Sequence, residues 1–91
     1  MTTIRILHRA EDGKVSDGSL DFDLNDFGDQ VPAVGDQIVN PGVLIGKDRT
    51  DPQNREIWTV VGRVFNSRDN KDYIGLIVKT RQGTLEDDGF L

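Results

Sequence analysis

Two apolar runs near the C-terminus, Arg55–Phe65 and Tyr73–Thr80, constrain this chain more than any other feature, because both carry apolar residues at odd and even positions alike. In a strand, successive side chains point to opposite faces. Trp58 and Val60 therefore share one face and Ile57 and Val61 the other. In the second run Ile74, Leu76 and Val78 stand opposite Tyr73 and Ile77. The polar segment between the runs, residues 66–72, predicts a hairpin with a long tip. A hairpin with one wet face would alternate apolar with polar residues, and this one does not, so something must cover each face. The covering must come from the rest of this chain or from a second chain.

The rest of the chain reads as more strand. Thr3–Arg9 alternates Ile4, Ile6 and His8 against Arg5, Leu7 and Arg9. Asp12-Gly13 and Asp17-Gly18 mark turns, and Leu20, Phe22 and Leu24 alternate with Asp21, Asp23 and Asn25 in the cleanest period-two pattern present. These two runs are expected to pair as a hairpin. Pro32 holds Val31 out of helical geometry, and Gly35-Asp36 supplies a tight turn into the short run Gln37–Asn40. Val43-Leu44-Ile45 lies between Pro41-Gly42 and Gly46 and reads as a further apolar piece, followed by a polar loop over residues 47–54. Gly62 inside a strand predicts a bulge or bend. No run of ten or more residues has helical periodicity.

The expectation is an all-β fold, a small antiparallel, partly open barrel or roll of five or six strands. One domain spans residues 1–80, with an acidic tail at residues 81–91 that frays unless docked. In such a barrel the Ile4/Ile6 and Leu20/Phe22/Leu24 stripes cover one face of the long hairpin, and Ile38, Val39, Val43, Leu44 and Ile45 wrap to the other.

At 91 residues the chain has room for one small core, burying somewhat over ~60% of its unfolded surface. It has no cysteine, so neither disulfides nor thiolate metal sites contribute. No segment approaches the roughly 18 apolar residues of a membrane span and no leader pattern is evident, which points to a soluble cytoplasmic protein without membrane contact. The net charge of −5 lies entirely in residues 1–45 and disfavours a phosphate-binding face.

The chain contains no assignable catalytic constellation. His8 is the only histidine and sits on the Ile4/Ile6 side of its strand, where a hydrogen-bonded position at the core rim is expected; no Ser or Thr is marked as its nucleophile. Asp21, Asp23 and Asn25 match the first, third and fifth positions of a calcium loop, but Asp26 stands where that loop needs Gly and Pro32 where it needs Glu. Gly42–Asp48 has one residue too few between its glycines for a phosphate loop, and Asp48 replaces the magnesium-binding hydroxyl. No cofactor or metal is expected, and the chain reads as a non-enzyme.

Binding is the remaining class. The surface expected to carry it is the long hairpin, through Ile57, Trp58, Val61, Phe65, Tyr73 and Ile77, engaging a protein partner or a second copy in a homodimer. Burying several aliphatic residues stabilises such a contact by roughly 25 cal/mol per Å², and two-fold dimers are the commonest soluble oligomers. The alternatives are a small-ligand pocket at Trp58, Phe65 and Tyr73 and, against the acidity of the chain, single-stranded nucleic acid stacked on these aromatics with Arg63, Arg68, Lys71 and Arg81 nearby.

The order Pro32-x-x-Gly35-Asp36-x-Ile38, Trp58-x-Val60-x-x-Arg63-x-Phe65 and Ile74-x-Leu76-x-Val78 resembles a pattern in small uncharacterised bacterial β-proteins, among them products of mobile gene cassettes and phage genomes. The resemblance covers the last two-thirds of the chain. It implies a small barrel and carries no functional residue across.

Overall fold

A computed structural model describes residues 2–69 and 71–90, leaving aside the side chains of Ser19, Asp88 and Phe90. The strands are β1 (Thr3–Arg9), β2 (Val15–Asp23), β3 (Gln37–Val39), β4 (Glu56–Phe65) and β5 (Tyr73–Gln82). Three short 3-10 turns accompany them: η1 (Leu24–Phe27), η2 (Pro52–Asn54) and η3 (Leu85–Phe90). The strands form one open sheet in the order β2-β1-β5-β4-β3. The fold is all-β, as expected from the patterning.

Two features differ from expectation. The sheet is mixed, because β5 lies parallel to β1, with Ile4 beside Ile74 and Ile6 beside Leu76. It is also not closed into a barrel. Its edges are β2 and β3, and a β3 of three residues offers too short a ladder for closure. The chain instead covers one face of an open sheet with its own loops.

The hairpins form for local reasons. Between β1 and β2, Gly13 takes a left-handed φ of 87°, a conformation glycine adopts without steric cost. The Asp12 carboxylate accepts from the Lys14 amide at 2.9 Å. The β1–β2 register shifts between Ile6 and Leu7, so that Ile6 pairs with Leu20 but Leu7 with Asp17. Gly18 lies at this shift, and a Cβ there would come within 2.7 Å of the His8 ring. Between β4 and β5, Val60 pairs with Val78 and Gly62 with Ile77, which leaves Val61 as the extra residue of the bulge expected at Gly62.

That bulge changes which residues face which way. Before it, Trp58 and Val60 lie on the core side; after it, Arg63 and Phe65 share that side by pairing with Leu76 and Ile74, while Val64 pairs with Gly75 on the other.

The core is built on one face of the sheet. Ile4, Ile6, Trp58, Val60, Ile74, Leu76 and Val78 are buried together, and Leu20, Phe22, Leu24, Phe27, Val31 and Ile38 pack against them. Phe22 meets Phe27 edge-on at 5.4 Å and Trp58 at 6.4 Å, geometries that aromatic pairs favour. The cover is therefore η1 and the chain leading to β3. Its start is held by reciprocal capping between Asp23 and Asp26. Its end is the turn at residues 33–36: Gly35 donates its N–H to Val60 O at 2.8 Å, and Val60 returns one to Asp36 O at 2.9 Å.

Val43-Leu44-Ile45 does not cover the other face. Leu44 and Ile45 are fully exposed in a loop, because three apolar residues between Pro41-Gly42 and a left-handed Gly46 are too few to pair or pack. Buried Arg55 ties this loop at both ends, donating to Asn40 O and to Arg49 O at 3.0 Å each.

The acidic tail is docked. β5 continues to Gln82, the Gly83 N–H reaches Arg55 O at 2.7 Å, and a Cβ on Gly83 would collide with the Pro52 backbone of η2. Arg81 and Asp87 then close η3 onto the sheet through two hydrogen bonds of 2.8 and 2.9 Å.

Candidate interaction surface

Among the described residues, the second, outer face of the sheet is covered only at one end. By register it carries Arg5, Leu7 and Arg9 from β1; Tyr73, Gly75, Ile77, Lys79 and Arg81 from β5; and Ile57, Gly62 and Val64 from β4. Ile57 pairs with Arg81 at the end where η3 docks and is fully buried. Towards the opposite end the face is open. There Val64 is 47% and Tyr73 41% exposed, with Leu7, Val61 and Ile77 half-buried.

A shallow groove of about 420 Å³ runs along this end, lined by Arg5, Leu7, Val64, Asn66, Tyr73 and Gly75. Gly75 forms its floor. A Cβ there would lie 3.1 Å from Leu7 Cδ1 and 3.5 Å from Val64 Cβ, so a larger residue would fill the groove from below. Arg5 forms its wall, and the sequence pattern explains why. Asp21 is directly opposite Arg5 across the β1–β2 pair, and the register shift brings Asp17 opposite Leu7 on the same side. The guanidinium consequently bonds Asp21 at 2.8 and 3.2 Å and Asp17 at 2.7 Å.

This hydrogen bond from Arg5 holds the Asp21 carboxyl below its ordinary value. The Asp21 bond, with the Asp17 charge beside it, raises the Arg5 guanidinium in turn. The wall thus stays charged and oriented, while Leu7, Val64 and Gly75 supply apolar lining and Asn66 a further polar group. The groove is shallow and open, without the enclosure typical of small-molecule pockets.

The structure separates the residues named from the sequence. Tyr73 and Ile77 lie on the open outer face, and half-buried Val61 sits at the bulge beside it. Trp58 is 1% exposed in the core cluster and Ile57 is fully buried, so neither offers contact area to a partner. Phe65 is 58% exposed but on the core side, with the Arg63 guanidinium 5.7 Å from its ring centre. Trp58, Phe65 and Tyr73 therefore do not converge on one pocket. Phe65 and Tyr73 alone share a depression of about 130 Å³, well below the roughly 300 Å³ from which small-molecule sites begin.

Leu7, Val64, Gly75 and the Arg5–Asp17–Asp21 cluster are groove residues that the strand pattern left unmarked. Leu7 had a signal, an apolar residue in the outward register of β1. Val64 became legible only after the bulge was counted.

Other polar groups are engaged elsewhere. His8 Nδ1 lies 3.2 Å from Thr80 Oγ1 and its ring meets Trp58 edge-on at 5.7 Å, which is the expected rim position. Asp23 and Asp26 serve the cap of η1. Among the described residues no group of three or more His, Asp or Glu is arranged to hold a metal. A larger groove of about 590 Å³ is lined by polar Asn40, Lys47, Gln53, Asn54, Glu56 and Gln82 together with Val43 and Leu44. There Glu56 Oε1 accepts from Trp58 Nε1 at 2.8 Å and from Asn40 at 3.3 Å. Among the described residues no helix is long and apolar enough to cross a membrane. Comparison of the chain with protein-family models, curated proteins and solved structures finds no match.

Proposed function

We propose that this protein is a binding module whose working surface is the open end of the outer face, centred on Leu7, Val64, Tyr73 and Ile77. One observation carries the reading. A sheet whose opposite face is closed by its own loops leaves an apolar groove on this one, walled by a guanidinium that two carboxylates hold in place. Contiguous exposed apolar surface of this kind marks contact sites, and fixing Arg5 in advance lowers the ordering cost of binding. The partner that fits is a protein surface presenting an aliphatic or aromatic side chain to the groove, with a carboxylate or carbonyl oxygen for the free directions of Arg5.

The β2 edge disfavours strand addition: it carries Asp17, Asp21 and Asp23 and a register shift, devices that discourage such pairing.

The test is Ile77→Lys, which places a charge beside the groove on a half-buried site. Affinity capture with the wild-type protein should retain a species that the variant, folded by circular dichroism, does not. If both retain the same proteins and sediment alike, the outer face is not the contact surface.

A further inference from the structure

β4 is ten residues long, but β3 pairs only with Ile57, Trp58 and Thr59. The turn before β3 adds hydrogen bonds to Val60 and no farther. Beyond it, among the described residues, nothing pairs with the outer edge of Val61–Phe65. This stretch contains no acidic residue and no proline, and it exposes Val64 and Phe65. A free, apolar strand edge is a template for another strand.

We propose that this edge pairs antiparallel with the same segment of a second copy, about a two-fold axis at Val64. The choice of occupant and register follows from the side chains. Antiparallel partners share a face of the sheet, so a two-fold axis must pass through one residue and its symmetry mate. An axis at Arg63 would oppose like charges. An axis at Gly62 would set Val64 against Val60, whose N–H and C=O are already taken by Asp36 and Gly35. An axis at Phe65 would pair Arg63 with Ser67 in the turn outside the strand. At Val64 the arrangement is self-complementary: valine meets valine on the outer face, and each Arg63 meets the other copy's Phe65 on the core side. Arg63 already lies over Phe65 within one chain, and the pairing places each ring within reach of two guanidinium groups, a favourable contact.

The product is a continuous ten-stranded sheet with the two outer-face grooves side by side and both open. The edge and the groove share Val64, but Arg5, Leu7, Tyr73 and Gly75 of the groove take no part in the seam. Self-association reads the dimer and partner capture by Ile77→Lys reads the contact proposed above, so failure of one is distinguishable from failure of the other.

Two exposed substitutions at one site test the register. Phe65→Lys sets a cation against the other copy's Arg63, and Phe65→Glu sets an anion there; both remove the aromatic ring. Sedimentation velocity should show wild type and Phe65→Glu dimerising, and Phe65→Lys weaker by roughly tenfold or more, as two symmetric pairs change sign. The chain has no cysteine, so a single Val64→Cys variant reports the axis directly. Oxidation should link it into a covalent dimer, since paired strands place such Cα atoms within disulfide range, while Leu7→Cys on the outer face should not link. A wild-type monomer at high micromolar concentration, equal dimerisation of the Lys and Glu variants, or faster linking at Leu7→Cys than at Val64→Cys would each overturn the proposal.

Discussion

The two faces of the sheet are made by the same strands yet differ in how they meet water. On the core face, η1 and the chain leading to β3 bring Leu24, Phe27, Val31 and Ile38 onto Trp58 and its neighbours. On the outer face, among the described residues, the end around Ile57 alone is covered, where the Arg81–Asp87 contact holds η3 down. The remainder stays open around Leu7, Val64, Tyr73 and Ile77. Apolar residues on both sides of a hairpin therefore do not require the chain to close on itself. A small domain can cover one face with its own loops and leave much of the other exposed.

Three substitutions probe that difference. Trp58→Ala on the closed face should cost about 3–5 kcal/mol, read as a large drop in the urea midpoint, because it empties the centre of the only buried cluster among the described residues; a small loss would show that the cover of η1 is not packed against it.

Asp87→Asn tests the partial cover and should have a smaller effect that depends on pH. Arg81, with the Thr84 amide, holds the Asp87 carboxyl well below the usual carboxylate range. A carboxylate with a depressed folded-state value contributes stability that is complete above its ordinary value of about 4 and is lost progressively as pH falls below it. The melting-temperature gap between wild type and Asp87→Asn should thus be widest at neutral pH and narrow on acidification. A gap independent of pH would mean that η3 is held by something other than this ion pair.

The smallest change in stability is expected for Ile77→Lys on the open face. It should cost about 1 kcal/mol, the centre of the range for point substitutions, because Ile77 is half-buried, although the same change is expected to abolish partner capture. A loss comparable to that of Trp58→Ala would show that the outer face is a second core and not a contact surface.

Much of the closed face was legible from alternation. Ile4 and Ile6, Leu20 and Phe22, Trp58 and Val60, and Ile74, Leu76 and Val78 all lie on the side their period-two spacing implies. Asp12-Gly13 and Gly35-Asp36 mark turns that form, and Gly62 marks the bulge, because each depends on local backbone geometry. The open face was less legible. The Val61 bulge reverses the parity of everything after it, which moves Val64 to the outer face and Phe65 to the core side. Arg5 meets Asp17 only because the β1–β2 register shifts between Ile6 and Leu7. Val43-Leu44-Ile45 has strand-like composition but pairs with no strand among the described residues, and so Leu44 and Ile45 remain in solvent.

Local residue order sets which segments extend, where most of them turn and which side of each strand is most apolar, since steric preference and side-chain alternation act over a few residues. Long-range pairing is what inserts β5 parallel to β1, keeps the sheet open, docks the tail through Arg81 and Asp87 and, among the described residues, leaves the edge of β4 beyond Val60 unpaired. Those outcomes depend on pairings between residues far apart in the chain. Several arrangements satisfy the same local pattern, and the choice among them rests on how much apolar surface the whole assembly of strands removes from water.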